Sequence, residues 1–365
     1  MTSHIAVLGA GNGAHAFAGD LALRGYGVRL YNKFAEEIAA LQASGGVTLE
    51  GALTGFGTLQ LVTADIGPVV ADADIILVVV PAIAHAFMAE ACAPHLSDGQ
   101  LILLSPGRTG GALEFRQTLR ALGLKRRVLL AEAQTLLFVC RISGPARVRI
   151  TTIKRETSLA ALPASDTPMV LERINTLYPQ FRAAADVLET SLENIGAVFH
   201  PATTLLSVGR IESGVPFEFY RDMTPSIARA IEAIDAERLA AARAYAVKTQ
   251  SASEWLARSY SGISGGTLLE RIQSNAAYCG IAAPRSLDTR YIWEDVPTGL
   301  VPMIELGRLA GVAMPASAAL VDLACALCRR DFWSEGRNAK RLGLSGLSVS
   351  AVKAFVESPG EHWSA

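Results

Sequence analysis

A surplus of charge of either sign is missing from this sequence: 33 lysines and arginines stand against 34 aspartates and glutamates in 365 residues. Without a basic patch or tail, nucleic acid and anionic membrane are not expected as partners. Long hydrophobic runs are missing too, since none approaches the ~18 to 20 apolar residues of a membrane span. The N-terminus enters a strand at once and leaves no room for a signal peptide, so a cytoplasmic protein is expected. Cysteine is scarce, at Cys92, Cys140, Cys279, Cys325 and Cys328. An odd, scattered set gives no disulfide framework. Cys325-Ala-Leu-Cys328 is formally C-x-x-C, but it lies inside the apolar helical run 316–328 and has no second pair. It reads as two core thiols one helical turn apart, and no metal site is expected. No internal repeat occurs. What is present is a chain 50% hydrophobic and 18% charged, long enough for two domains with separate cores.

The stretch Ile5-Ala-Val-Leu-Gly-Ala-Gly-Asn-Gly-Ala14 organises the first half. Residues 5–8 suit a buried parallel strand. Gly9 and Gly11 permit a tight turn and leave room for a ligand to come close. Ala14 stands at the third small position of the dinucleotide fingerprint G-x-G-x-x-G/A, where a small residue lets the helix pack on the strand. That helix starts near Asn12, and its free N–H groups, in the turn that includes Gly13, suit a pyrophosphate. A glycine turn without a ligand has the same local composition. The preceding strand, the following helix and the N-terminal position favour a coenzyme.

Residues 28–31 read as the second strand. An NAD-selecting chain usually carries Asp or Glu at that strand's end to hold the ribose 2′-hydroxyl; here Asn32 and Lys33 follow. Lys33, with Arg29, suits a 2′-phosphate, and as a solvated surface charge Lys33 has no such role. The lean is to NADP over NAD. A helix is expected over 35–42, a small hairpin from 47–50 and 58–63, and a buried strand over 75–80. The loop from Pro81 and Ala82 to His85 falls at the carboxyl end of the sheet, where open α/β sheets bind ligands. His85 is expected at a helix start with its polar tip in solvent. Strands over 101–104 and 128–131 repeat the pattern, the first running into the glycine-rich loop 105–111, and 147–153 alternates as an outer or edge strand does. Strands alternating with helices predict a Rossmann-type doubly wound parallel sheet, an α/β class. From residue 188 the segments become helical: 188–199, 203–211, 225–246, 265–273, 300–310 and 316–329. The division expected is a dinucleotide-binding domain over 1–185 and a mostly helical substrate domain over 186–365, with a frayed tail over 358–365.

Two stretches of the helical half carry chemistry. In one, His200 ends an apolar helix directly before Pro201. In the other, Asp288–Gly299, the charged Arg290, Glu294 and Asp295 surround Tyr291 and Trp293. A hydride reaching a C=N or C=O bond needs a proton donor beside it, and histidine titrates near the working pH. A carboxylate on its far nitrogen fixes the tautomer, as in the serine-protease triad. Arg290 offers a bidentate guanidinium to a substrate carboxylate. A core histidine and salt-bridged loop charges are the plain alternatives.

Several motifs in the same order resemble the opine dehydrogenase family, which includes octopine, nopaline and N-(1-carboxyethyl)-norvaline dehydrogenases. They are Leu8-Gly-Ala-Gly-Asn-Gly-Ala-His15, Val80-Pro-Ala82, Cys140-Arg141, Phe199-His-Pro201, Glu212-Ser-Gly214 and Arg290-Tyr-Ile-Trp-Glu-Asp-Val-Pro-Thr-Gly-Leu-Val-Pro302. The resemblance implies a second domain similar to the C-terminal domain of 6-phosphogluconate dehydrogenase. It implies NAD(P)H-dependent condensation of an amino acid with an α-keto acid, the hydride passing to the imine carbon, so the enzyme acts on CH–NH donors in reverse. It implies His200 and Asp295 as the catalytic pair, Arg290 as holder of a substrate carboxylate, Thr135 as a substrate-gating threonine, and the substrate between the domains. A homodimer through the helical domain is expected from its apolar helices. The alternatives are a 2-hydroxy-acid or ketopantoate-type reductase and a non-catalytic nicotinamide-binding sensor. The first calls for a lysine at the start of the second domain, and 188–210 contains none.

Overall fold

The computed structural model describes residues 4–358. The expected frayed tail, from residue 359 on, lies outside the described residues. The described chain divides into two compact units, one built from residues 4–190 together with 354–358, the other from Ser191–Lys353. Among the described residues no helix is long and apolar enough to cross a membrane.

Among its described residues the first unit contains twelve strands: β1 (His4–Leu8), β2 (Gly27–Tyr31), β3 (Gly46–Gly51), β4 (Gly55–Thr58), β5 (Leu61–Thr63), β6 (Ile75–Val78), β7 (Leu101–Leu104), β8 (Leu129–Ala133), β9 (Phe138–Gly144), β10 (Arg147–Ile153), β11 (Thr157–Ala161) and β12 (Phe181–Ala183). Eight form one sheet in the order β12-β11-β8-β7-β6-β1-β2-β5. Its pairs are parallel except that β11 runs antiparallel to β8. The apolar runs of β1, β6 and β7 are buried on both faces, as a sheet covered by helices on each side requires. Helix α1 (Asn12–Leu23) follows β1 and helix α2 (Ala35–Ser44) follows β2.

The other four strands make a second sheet, β4-β3-β10-β9, laid against α1. Contact is close because neither side has bulk: a Cβ on Gly57 would stand 2.2 Å from the Gly19 carbonyl oxygen. Two expectations change here. The hairpin pairs β3 with β4 and closes by Thr58, while Leu61–Thr63 leaves it to become the edge of the main sheet beside β2. Strand β10 is not an edge, since β3 flanks it on one side and β9 on the other. Its alternation reflects one exposed face.

The second unit is helical, with a core that includes Phe199, Phe219, Ile231, Leu300 and Phe332. The expected helix over 188–199 is two, Val187–Leu192 and Ile195–Leu206, separated at Asn194, which caps the second with φ −73° and ψ 79°. Pro201 does not end that helix but lies inside it, although proline removes a backbone donor. One turn on, the Thr203 and Thr204 hydroxyls donate to the Phe199 and His200 carbonyls at 2.8 and 2.7 Å.

Candidate active site

At the carboxyl end of β1 the backbone accepts only small residues. Gly9 has φ +122°, and a Cβ there would stand 2.4 Å from the Val79 carbonyl oxygen. Its N–H donates to Tyr31 O at 2.7 Å, tying the turn to the end of β2. Gly11 caps α1, no side chain bonds to the cap, and a Cβ at Gly11 would meet nothing within 4 Å. Space lies above a helix start whose amides point outward, and the arrangement fits a pyrophosphate. Gly13 is pressed by Leu136 and Val79, and Ala14 is fully buried. The Asn12 side chain is turned to structure: its Oδ1 accepts the Ile142 N–H at 2.8 Å.

The end of β2 is of mixed sign. Asn32 is buried and its Nδ2 donates to Glu37 Oε2 at 2.8 Å and to Phe34 O at 3.2 Å. Lys33 is exposed, with its ammonium 4.3 Å from the Phe87 ring centroid. Arg29 donates to the Pro68 and Ala71 carbonyls. Pro81 and buried Ala82 follow β6 at the same sheet edge.

His85 departs from expectation: it is fully buried rather than tipped into solvent. It lies beside Gly111, where a Cβ would come 3.2 Å from His85 Nδ1 and 3.3 Å from Glu132 Oε2. Glu132 is also fully buried, accepting the Ala112 N–H at 2.7 Å and the Thr190 hydroxyl at 2.5 Å. Thr135 follows β8, half-buried, and its hydroxyl accepts from Lys154 Nζ at 2.8 Å.

In the second unit His200 stands at mid-helix, with 18% of its side chain exposed, and Asp295 is buried. The sequence separates them by 95 residues; the fold sets His200 Nδ1 2.7 Å from Asp295 Oδ2. A carboxylate accepts, so Nδ1 carries the proton and Nε2 is left as the acceptor. The Tyr220 hydroxyl lies 3.1 Å from that Nε2. Burial pushes the Tyr220 phenol far up, with the fields of Tyr291, Tyr260 and Asp295 acting in the same direction, so it stays protonated and donates. Tyr291 stacks on the imidazole at 4.4 Å between centroids.

Asp295 reaches this place through an interrupted helix. Arg290–Trp293 forms one short turn, Val296–Leu300 is π-helical, and Val301–Leu309 continues as an α-helix. Such insertions recur at functional sites. Arg290 is half exposed, and its Nη2 forms an ion pair with Glu294 Oε2 at 2.7 Å. Burial works against its charge, but Glu294 and Asp295 more than offset that and hold the guanidinium above its usual range.

Reasoning from sequence missed Tyr220 and Lys154. Tyr220 lies 20 residues past His200 with no periodicity linking them; the one signal was the aromatic cluster Phe217-Glu-Phe-Tyr220 before the helix start at Thr224-Pro225. Lys154 comes directly after the alternating run 147–153, and no pattern in the sequence marks it.

A family model described as NAD/NADP octopine/nopaline dehydrogenase, alpha-helical domain, matches residues 183–328. The opine dehydrogenase of Arthrobacter sp. (strain 1C) is 47% identical over 354 residues, which cover 96% of this chain and 98% of that protein. Among solved structures, an octopine dehydrogenase with NADH and L-arginine matches with a TM-score of 0.83 at 24% identity, covering 98% of this chain and 100% of the other. A yersinopine dehydrogenase with NADP+ matches at 0.72 and 17% identity, covering 100% and 99%. These last two share its fold.

Proposed function

The chain belongs to the opine dehydrogenase family, as a nicotinamide-dependent oxidoreductase of the opine type, and on that premise we propose that it joins an amino acid to an α-keto acid through a reduced C–N bond. The reaction forms an imine with loss of water, and the product is a secondary amine bearing two carboxylates. The bound nicotinamide supplies the hydride for the imine carbon. His200 takes up and returns the proton of the reacting amine at Nε2, and Asp295 holds the ring with Nε2 as acceptor and steadies the imidazolium. Arg290, oriented by Glu294, holds the keto acid carboxylate, and Thr135 lines the substrate's path. In the reverse direction the donor is a CH–NH group.

The coenzyme's phosphates are assigned to Gly9, Gly11, Asn12, Gly13 and Ala14, with Pro81 and Ala82 along its course and Asn32 and Lys33 at the ribose. Residue types alone lean to NADP. The side chains argue the other way: Arg29 is engaged by two carbonyls, and the Glu37 carboxylate, held by Asn32, repels a 2′-phosphate. NADH is the coenzyme we expect to be preferred. We also infer a cytoplasmic enzyme that works as a homodimer.

The observation that carries this reading is the 2.7 Å imidazole–carboxylate bond. The test mixes enzyme, NADH or NADPH, pyruvate and a panel of amino acids. Amine-dependent oxidation is expected, and His200→Ala or Asp295→Ala lowers turnover by ~100-fold or more with coenzyme affinity retained. Unchanged turnover in either variant refutes the pair. Oxidation with keto acid alone indicates a hydroxy-acid reductase, and binding without turnover indicates a sensor.

A further inference from the structure

The product proposed above carries two carboxylates, and Arg290 accounts for one of them. The second needs its own cation, and among the described residues of the first unit Lys154 is a candidate, engaged by one hydroxyl and by no carboxylate. Lys154, directly after β10, is half-buried and donates to a single side chain, the Thr135 hydroxyl at 2.8 Å. Among the described residues no carboxylate lies within ion-pair distance of its ammonium. Burial pushes this amine down to about 8, and the neighbouring charge of Arg108 adds to the shift. A partly desolvated ammonium beside a second cation is unfavourable in the ligand-free fold, and such groups cluster where an anion is to be received.

Position within the sheet says which anion. Thr135 lies just past the end of β8 and Arg108 in the loop after β7, so both stand at the carboxyl edge, as the Gly9 turn after β1 does. The order β8-β7-β6-β1-β2 places them across β1 from Asn32 and Lys33. In a doubly wound sheet the dinucleotide crosses at the switch point beside β1, its adenosine over the β2 side and its nicotinamide over the other. A bound coenzyme would therefore turn its reacting end to the side of β7 and β8, where substrate rather than nucleotide phosphate would be met. Arg108 is held at φ +60°, a left-handed backbone that a non-glycine residue adopts only where its surroundings impose it. Thr135 accepts from Lys154 and keeps its own hydroxyl proton to donate outward.

We propose that Lys154, with Thr135 and Arg108, forms a carboxylate-binding site for the amino acid substrate, separate from Arg290 and the keto acid. An ammonium, a guanidinium and a hydroxyl would meet the carboxylate, and an amine lacking that group leaves the ammonium without its counter-charge. The site thereby selects α-amino acids over simple amines. This inference rests on the function proposed above, and the test separates the two.

The probes are N-(1-carboxyethyl)glycine, which carries both carboxylates and no side chain to be rejected, and N-methylalanine, which lacks the one from the amino acid. Affinities are measured against the full-length enzyme saturated with oxidised coenzyme. Wild type is expected to bind the first about 10- to 100-fold more tightly. Lys154→Met removes that preference while leaving N-methylalanine affinity unchanged, and Lys154→Arg restores most of it. A merely structural lysine predicts that both affinities fall together, and that result overturns the proposal. So does a wild type that does not distinguish the two probes, or a Lys154→Met variant that still does. A wild type that shows the preference but no amine-dependent NADH oxidation removes the assigned reaction and leaves the carboxylate site standing.

Discussion

Each ring nitrogen of His200 has a partner: Asp295 accepts a hydrogen bond from Nδ1–H, and the Tyr220 hydroxyl donates one to Nε2. The second bond has a consequence for the first step of the chemistry. On the function proposed above, a substrate amine reaching Nε2 would find the lone pair engaged, so the Tyr220 hydroxyl would have to give up that bond or relay the proton. Its ring is fixed by a stack on Tyr278 at 4.0 Å and 15°, so the hydroxyl returns to the same place. Tyr220→Phe keeps the stack and removes the proton. The expected outcome is kcat reduced by about tenfold, with coenzyme affinity and melting temperature close to wild type. Steady-state kinetics beside coenzyme fluorescence titration check it, and an unaltered kcat leaves Tyr220 as packing alone. His200 and Asp295 drew notice because their residue types suit proton transfer, but only the family resemblance paired them, and the residues alone left a core histidine and salt-bridged loop charges open. Tyr220 drew none, because an aromatic in an apolar run reads as core, and core is also what it is.

Among the elements, the helix Ile195–Leu206 and the π turn Val296–Leu300 decide whether the pair can form. They approach closely because Gly299 has no side chain: a Cβ there would stand 2.5 Å from the Ala197 Cβ. Asp295 immediately precedes that turn, so pushing the turn outward draws its carboxylate from Nδ1. Gly299→Ala is expected to lower kcat by tenfold or more and stability by about 1–3 kcal/mol from overpacking. The second substitution Ala197→Gly makes room and should recover much of the activity, although glycine inside a helix costs about 1 kcal/mol. Activity and thermal melts of the two single variants and the double one check this. If the double variant is no better than Gly299→Ala, the contact does not govern the site.

At this scale the sequence spoke unevenly. The buried parallel strands were legible because apolar runs such as Ile75-Ile-Leu-Val and Leu101-Ile-Leu-Leu admit few other placements. The second sheet was not, because β3 and β10 meet across about a hundred residues and local alternation cannot name a partner. Nor was the path through Pro201, since a proline's ordinary effect is to end a helix and here the buried surroundings keep it going.

At the scale of the whole molecule the chain does not simply finish one unit and build the next. From Ala354 it belongs again to the unit that carries the Gly9 turn. One contact in this return is between the Arg116 guanidinium and the Phe355 ring, 4.3 Å apart. Arg116 is 4% exposed, and burial together with Arg120 pushes its guanidinium down to about 10. A ring face partly replaces the water that such a cation has lost, at about 2 kcal/mol or more when desolvated. Phe355→Leu keeps apolar volume and removes that face; Phe355→Ala removes both. Melting temperature should therefore fall in the order wild type, Phe355→Leu, Phe355→Ala, the last by several degrees. Coenzyme protects the unit that binds it, so added NADH should recover part of the loss in both variants. Equal melting for the leucine and alanine variants would show that volume rather than the ring face holds the C-terminal segment. Wild-type melting in both would show that the return of the chain does not stabilise the nucleotide half.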